Sequence, residues 1–275
     1  MTRLSPTHPR YRSLKVREAL SEAHRAGVVV PEGLIAHGRG EAFDYLIGEA
    51  TLPSARIAER AAATWLANAR SPVISVNGNV AALAASEIAR LARLLPHLKV
   101  EVNLFHRTPA RARAIAARLQ AAGVRSVLGV RPDARIPGLP SDRSRVDSEG
   151  ILVADVCLVP LEDGDRTDAL RALGKRVISV DLNPLSRTSQ RSDLPIVDEL
   201  TRALQGIGRS APGALKARDV GRFPPFDARG ALAQALSEIL ANLRSPPARP
   251  RSRATVRRSS ARPTREIARR SRRTR

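Results

Sequence analysis

The 275-residue sequence predicts an α/β fold, a Rossmann-like parallel sheet with helices on both faces. Three observations carry that expectation. Short runs such as Val73-Ile-Ser-Val76 and Val177-Ile-Ser-Val180 have strand length and are apolar or small throughout, as strands buried on both faces are. Ala-, Leu- and Arg-rich stretches of helical length alternate with them, the pattern of βαβ units. Each apolar run then stops in a polar turn. An N-terminal helical segment precedes the sheet, and a disordered Arg-rich C-terminal tail is expected to follow it.

The elements follow in order. Residues 1–12, with Pro6 and Pro9, read as an extended arm, and Leu14, Val16, Ala19, Leu20 and Ala23 predict a helix from Ser13 to about Gly27. Ala36-His-Gly-Arg-Gly-Glu-Ala-Phe-Asp-Tyr45 places a glycine on each side of Arg39, which predicts a turn with φ > 0 that brings the backbone close to a ligand. The alternative is a turn that caps the next helix. A helix over 55–69 ends at Ser71-Pro72, and a strand from Val73 ends in Asn77-Gly-Asn79 before a helix over 81–95. Lys99–Phe105 is a strand, 109–122 a helix opened by Pro109, and Val124–Gly129 another short strand. After a Pro/Gly-rich loop over 131–147 come a strand over 151–161, a short helix over 167–173 and the strand Arg176–Val180. Pro195–Asp198 closes the sheet, and a helix from Glu199 to about Leu204 follows it.

Composition narrows the function. No run of 18 apolar residues is present and the N-terminus lacks an apolar signal core, so a cytoplasmic protein without a membrane span is expected. The single cysteine, Cys157, excludes an internal disulfide, and its apolar neighbours favour a buried small residue over a nucleophile. The histidines His24, His97 and His106 lack metal-ligand spacing, and no Ser/His/Asp or Cys/His arrangement stands out. Of the net charge of +21, the stretch from Arg244 carries +12, made of 13 Arg against Glu266, and the other 243 residues carry +9. The tail over 245–275 lacks apolar periodicity and is expected to be disordered, with nonspecific attraction to RNA, DNA or another polyanion as one role and none as the other.

Chemistry concentrates where the strands end. In an open parallel sheet ligands bind outside the carboxyl ends of the strands. Asn77 and Asn79, Asn103 and Arg107, Glu162 to Arg166, and Asp181 to Thr188 all occupy such ends. They combine guanidinium forks for phosphate with carboxylates that hold a metal or an amine. The three-glycine dinucleotide fingerprint and the GxxxxGK[ST] loop are both absent. An enzyme site is expected there. The rival class is a nucleotide-binding protein that acts on nucleic acid through its basic tail.

Several long segments carry a resemblance. Gly33-Leu-Ile-Ala-His-Gly-Arg-Gly-Glu-Ala-Phe-Asp-Tyr-Leu-Ile-Gly48, Ser75-Val-Asn-Gly-Asn-Val-Ala-Ala-Leu83, Glu101-Val-Asn-Leu-Phe105, Arg135-Ile-Pro-Gly-Leu139, Val159-Pro-Leu-Glu-Asp-Gly-Asp-Arg-Thr167 and Asp181-Leu-Asn-Pro-Leu-Ser-Arg-Thr188 resemble the archaeal phosphopantothenate synthetases, also called 4-phosphopantoate–β-alanine ligases. With Arg17-Glu18, the resemblance covers about residues 5–204. It implies a homodimeric enzyme of coenzyme A biosynthesis that joins 4-phosphopantoate to β-alanine with ATP and Mg²⁺, releasing AMP and diphosphate. It further implies a ligase domain over 1–208 with its core at about 70–204, a divergent helical extension over 209–244 and the tail over 245–275.

By the same resemblance, ATP contacts fall on Arg17, Arg39, Asp181, Leu182, Asn183, Arg187, Thr188, Glu199 and Leu200. Glu199 stands where the family usually has Asn. Arg17, Arg39 and Arg187 are expected to stabilise charge on the α-phosphate or, alternatively, to hold the phosphate of 4-phosphopantoate. Glu162, Asp163 and Asp165 are candidates to receive the β-alanine ammonium and its proton, and Asn77, Asn103 and Arg135 to hold the other substrate.

Overall fold

The computed structural model describes residues 10–245 together with residues 5, 7 and 8. The expected tail past residue 245 and half of the expected N-terminal arm lie outside the described residues, and the arm's last two residues, Tyr11 and Arg12, are already helical. The chain divides into a unit Arg12–Pro247 and a unit of Met1–Tyr11 with Ala248–Arg275. Within the second, the Tyr11 amide donates to the His8 carbonyl at 2.9 Å.

Helices α1 (Tyr11–Arg25), α2 (Pro31–Leu46) and α3 (Pro53–Asn68) come first. Then follow β1 (Pro72–Val76), α4 (Gly78–Leu94), β2 (Lys99–Val102) and α5 (Pro109–Ala121). A small antiparallel pair, β3 (Ala134–Arg135) and β4 (Arg145–Val146), brackets a one-turn 3-10 helix at Asp142–Ser144. The second half runs β5 (Val156–Pro160), α6 (Gly164–Ala172), β6 (Arg176–Val180), α7 (Arg187–Arg191), β7 (Leu194–Ile196), α8 (Leu200–Lys216) and α9 (Ala228–Arg244).

Five strands pair in the order β2-β1-β5-β6-β7, all parallel. The α/β expectation is met. Alternation along each strand splits the core in two. Ile74, Val76, Val100, Leu158 and Ile178 share one cluster with α3, α4, α5 and α8, whereas Val73, Cys157, Val159 and Val177 pack with Leu170 of α6 and with Ile136, Val146 and Ile151. Because every strand points the same way, all the polar strand ends fall on one edge. The order reverses between β1 and β5, and in such sheets that reversal opens a ligand crevice.

Five expectations need correction. Gly38 and Gly40 do not make a turn: both lie inside α2, and neither has a positive φ. Pro31 at the first turn starts a helix that runs through them, and Gly40 sits against Leu182, whose Cδ1 would be 3.6 Å from a Cβ. Val124–Gly129 forms only a single bridge, Glu101 to Leu128, because the chain turns away at Gly129 with φ +76. The strand expected over 151–161 begins only at Val156, after turns. The helix after Glu199 does not stop near Leu204. It continues through Gly206, Gly208 and Pro212 to Lys216, since Leu200, Ala203, Leu204, Ile207 and Ala211 form one buried stripe, and the expected boundary at 208 falls inside it. Finally, Asn77-Gly-Asn79 does not end the strand: Asn77 is the N-cap of α4, and the helix starts at Gly78 rather than at residue 81.

Candidate active site

Each strand end is shaped by its own short polar side chains. After β6, Asp181 Oδ1 accepts from the Asn183 amide at 2.9 Å, and Asn183 Oδ1 accepts from Leu185 at 2.9 Å, so two Asx turns lead into α7. Ser186 caps that helix. Leu182 turns inward and joins Ile47, Leu52, Val197, Ala235 and Ile239 in a satellite core. After β5, Leu161 takes the left-handed conformation at φ +51, rare for a branched residue. Its carbonyl accepts from Asn77 Nδ2 at 2.9 Å, which ties the ends of β1 and β5 across the crevice.

Helix α2 spans this edge. Near its start, Asn79 Nδ2 donates to the Gly33 carbonyl at 2.7 Å, and near its end Arg202 of α8 contacts Asp44 at 2.5 Å and Asp198 at 2.7 Å. Arg39 lies between these two pins. It is exposed, makes no hydrogen bond or ion pair among the described residues, and its charge acts on Asp181. Burial raises the Asp181 carboxyl above its ordinary range, while hydrogen bonds from Ser186 and the Asn183 amide and the Arg39 charge pull it back. Arg17 reaches α2 from α1 through a forked ion pair to Glu41, 2.9 Å at the closest. His37, one turn before Glu41, has a buried Nε2 without a partner among the described residues. Burial pushes its imidazole below the usual value against the charges of Glu41 and Glu199.

The structure therefore brings Arg17, Arg39 and Glu199 together around α2, with Asp181 near Arg39 and Leu182 against Gly40, while Asn183 stays in the turn that leads to α7. Glu199 is the N-cap of α8, accepting from the Thr201 amide at 2.9 Å and the Arg202 amide at 3.1 Å, and its carboxylate is thereby engaged. Leu200 is 3 % exposed. On α7, Thr188 is buried and donates Oγ1 to the Glu162 carbonyl at 2.8 Å, while Arg187 is exposed and pairs with Asp165 at 2.7 Å.

The acidic candidates separate. Asp163 caps α6 and, with Asp165 and Asp168, lines a cleft of about 1120 Å³ closed on its other side by Phe105 and the 137–142 loop. Burial and the Glu162 charge raise the Asp163 carboxyl. Glu162 is different: its side chain is 1 % exposed and sits between Arg143 at 2.6 Å and the fully buried Arg166. Burial alone would raise this carboxyl, and the two guanidiniums reverse that and hold it below the ordinary range.

Asn103 is fully buried, with Nδ2 donating to the Arg143 and Arg145 carbonyls, and the side-chain amide of Asn77 is likewise spent on Leu161 and on capping Val80. Arg135 is exposed on β3, its Nη1 near Ser144 Oγ at 3.3 Å. Sequence reasoning missed Arg143, and it placed Arg166 at a strand end and His37 beside Arg39 without giving either a role. Arg166 stands four residues after Glu162, the helical ion-pair spacing, and that was the available signal. Cys157 is buried with its thiol pushed up to about 12, as a structural residue would be.

Among the described residues no three or more His, Cys, Asp or Glu side chains are grouped to hold a metal ion, and no helix is long and apolar enough to cross a membrane.

Comparison with known proteins gives a consistent picture. A family model described as phosphopantothenate/pantothenate synthetase matches residues 54–242. A 4-phosphopantoate–β-alanine ligase of Methanosarcina mazei is 49% identical over 248 residues, which cover 89% of this chain and 97% of the relative. Enzymes of the same name from Methanospirillum hungatei and Thermococcus onnurineus are 55% and 53% identical, each over 74% of this chain and over 82% and 78% of theirs. The likeness runs to residue 242, through the stretch beyond about Gly208 that was expected to diverge.

Proposed function

Because this chain belongs to the phosphopantothenate/pantothenate synthetase family and is an enzyme of the ligase class, we propose that it condenses 4-phosphopantoate with β-alanine, consuming ATP and releasing AMP and diphosphate. The observation that carries this reading is the single edge on which Arg39, Asp181, Thr188 and Arg187 meet the carboxylate-lined cleft at Asp163 and Asp165. A nucleotide gripped by the first set stands next to an amine held by the second.

The chemistry requires two steps. A carboxylate does not acylate an amine at neutral pH because oxide is not expelled. Its oxygen therefore attacks the α-phosphorus of ATP, diphosphate leaves, and an acyl-adenylate forms. The amine, having lost a proton, then attacks the acyl carbon and expels AMP. Charge grows on the α-phosphate oxygens in the first step, and Arg17, Arg39 and Arg187 are proposed to neutralise it. The backbones of Asp181, Leu182, Asn183, Glu199 and Leu200 and the Thr188 hydroxyl frame the nucleotide. Asp163 and Asp165 receive the β-alanine ammonium, and Asn77, Asn103 and Arg135 shape the 4-phosphopantoate side. The two asparagines act by holding backbone there, since their amides already bond carbonyls.

Among the described residues no side chains prebuild a cage for Mg²⁺, so Mg²⁺ is proposed to arrive on the ATP phosphates, as this ion commonly does. A cytoplasmic homodimer is part of the same proposal.

The test is direct. Purified protein with ATP, Mg²⁺, 4-phosphopantoate and β-alanine is expected to release AMP in repeated turnovers, and omission of either organic substrate is expected to stop them. Formation of ADP in place of AMP would overturn the reading. Within it, Arg39→Ala is expected to lower turnover about 100- to 1,000-fold, and a variant that retains full turnover at saturating and low ATP removes Arg39 from the phosphate site.

A further inference from the structure

Glu162 is the junction at which the separate parts of the edge are tied. Arg143 Nη1 straddles the carboxylate, 2.6 Å from Oε1 and donating to Oε2 at 2.8 Å, and Oε2 also takes Arg166 Nη1, which donates in addition to Ser75 Oγ of β1 at 2.8 Å. Arg143 extends the network twice. Its Nε lies 3.1 Å from Asp163 Oδ2, and its carbonyl accepts Asn103 Nδ2 at 3.1 Å, beyond the end of β2. The Glu162 carbonyl accepts Thr188 Oγ1 of α7 at 2.8 Å. Arg166 is fully buried, and two of its nitrogens, Nε and Nη2, have no partner among the described residues. Glu162 is therefore the carboxylate that balances a guanidinium with no access to water.

We propose that Glu162 is a positioning residue that does not touch substrate: through Arg143 and Arg166 its charge fixes the first turn of α6, which carries Asp163 and Asp165, in register with Thr188 and Arg187 of α7. This rests on the ligase reading, in which the first pair serves the amine and the second the nucleotide. A displacement of about 1 Å between reacting groups is enough to cost about 100-fold in rate. Loss of the Glu162 charge leaves both arginines to share one neutral oxygen, and the turn they hold is released. The Asn77–Leu161 bond holds the ends of β1 and β5 together regardless.

The experiment is a cycle of Glu162→Gln, Arg143→Met and the double variant. Glu162→Gln keeps the side-chain shape and the carbonyl that holds Thr188. Each single variant is expected to lower kcat about 100-fold, with KM for all three substrates within about threefold and the pH-rate limbs unmoved. The double variant is expected to be no more than a few-fold worse than either single one, because both break the same junction. Multiplying losses would sink the proposal. So would an unchanged kcat with only a lower melting temperature, which makes the cluster a stability feature, or a lost pH limb or tenfold rise in the β-alanine KM, which makes Glu162 a substrate contact.

If Glu162→Gln does not fold, Arg143→Met decides alone, and wild-type kcat in that variant rejects the idea. If the wild-type protein forms no AMP, the ligase reading fails on its own. The junction is then read without substrate from the melting temperatures of the same variants, where additive shifts reject it.

Discussion

Single residues in this molecule carry consequences that their types do not announce. Glu59 of α3 is 3 % exposed, faces the Asp198 carboxylate, and has Arg209 at 3.9 Å and Arg56 as its nearby cations. Burial, reinforced by Asp198, raises its pKa to about 7. An acid whose pKa is raised by folding binds its proton more tightly in the native state. Its contribution is therefore present at low pH and is lost as pH rises from about 4.5 towards 7, a cost of up to about 3 kcal/mol. Glu59→Gln is expected to be as stable as the parent at pH 5 and more stable at pH 8, read from denaturant midpoints; equal pH slopes for the two proteins would refute the assignment. Cys157, fully buried, is expected to resist thiol reagents in the folded protein and to react once denatured.

At the scale of elements, the central apolar runs are legible directly, whereas 124–129 and 151–155 read as strand and are not. Apolar runs such as Val156–Val159 admit one interpretation, and five of them in parallel put their polar ends together without further information. Helix α2 was misread because two glycines in a helix interior each cost about 1 kcal/mol relative to Ala, and local propensity alone favours a turn. Contacts at Asn79, Leu182 and Arg202 override it. Helix α8 was cut short for the same reason at Gly206, Gly208 and Pro212. Gly206 has a packing role: a Cβ there would overlap the Glu59 carboxylate. Gly206→Ala is expected to destabilise the protein by about 1–3 kcal/mol although alanine is the better helix former, and a gain in the denaturant midpoint would contradict this packing. The buried Glu162, Arg143 and Arg166 were illegible as a unit, since charged residues in a sequence read as surface until tertiary structure encloses them.

For the molecule as a whole, the question is what lies in the described core and what lies in the basic extension. The family match ends at residue 242, before most of the arginines that follow. A chain ending at residue 245 is expected to keep its AMP-forming turnover and to lose any salt-sensitive retention on a polyanion. Loss of turnover on truncation would favour the nucleic-acid class over the ligase.

One last consequence belongs to α2, which has no buried residue and is held at its two ends by polar contacts. Its backbone amides are expected to exchange with solvent faster than those of α3 and to slow when ATP is added. Arg39, proposed to grip phosphate, thus rides on a clasp rather than on the frame, so release of spent nucleotide is expected to need only that the clasp lift, while the sheet beneath stays intact.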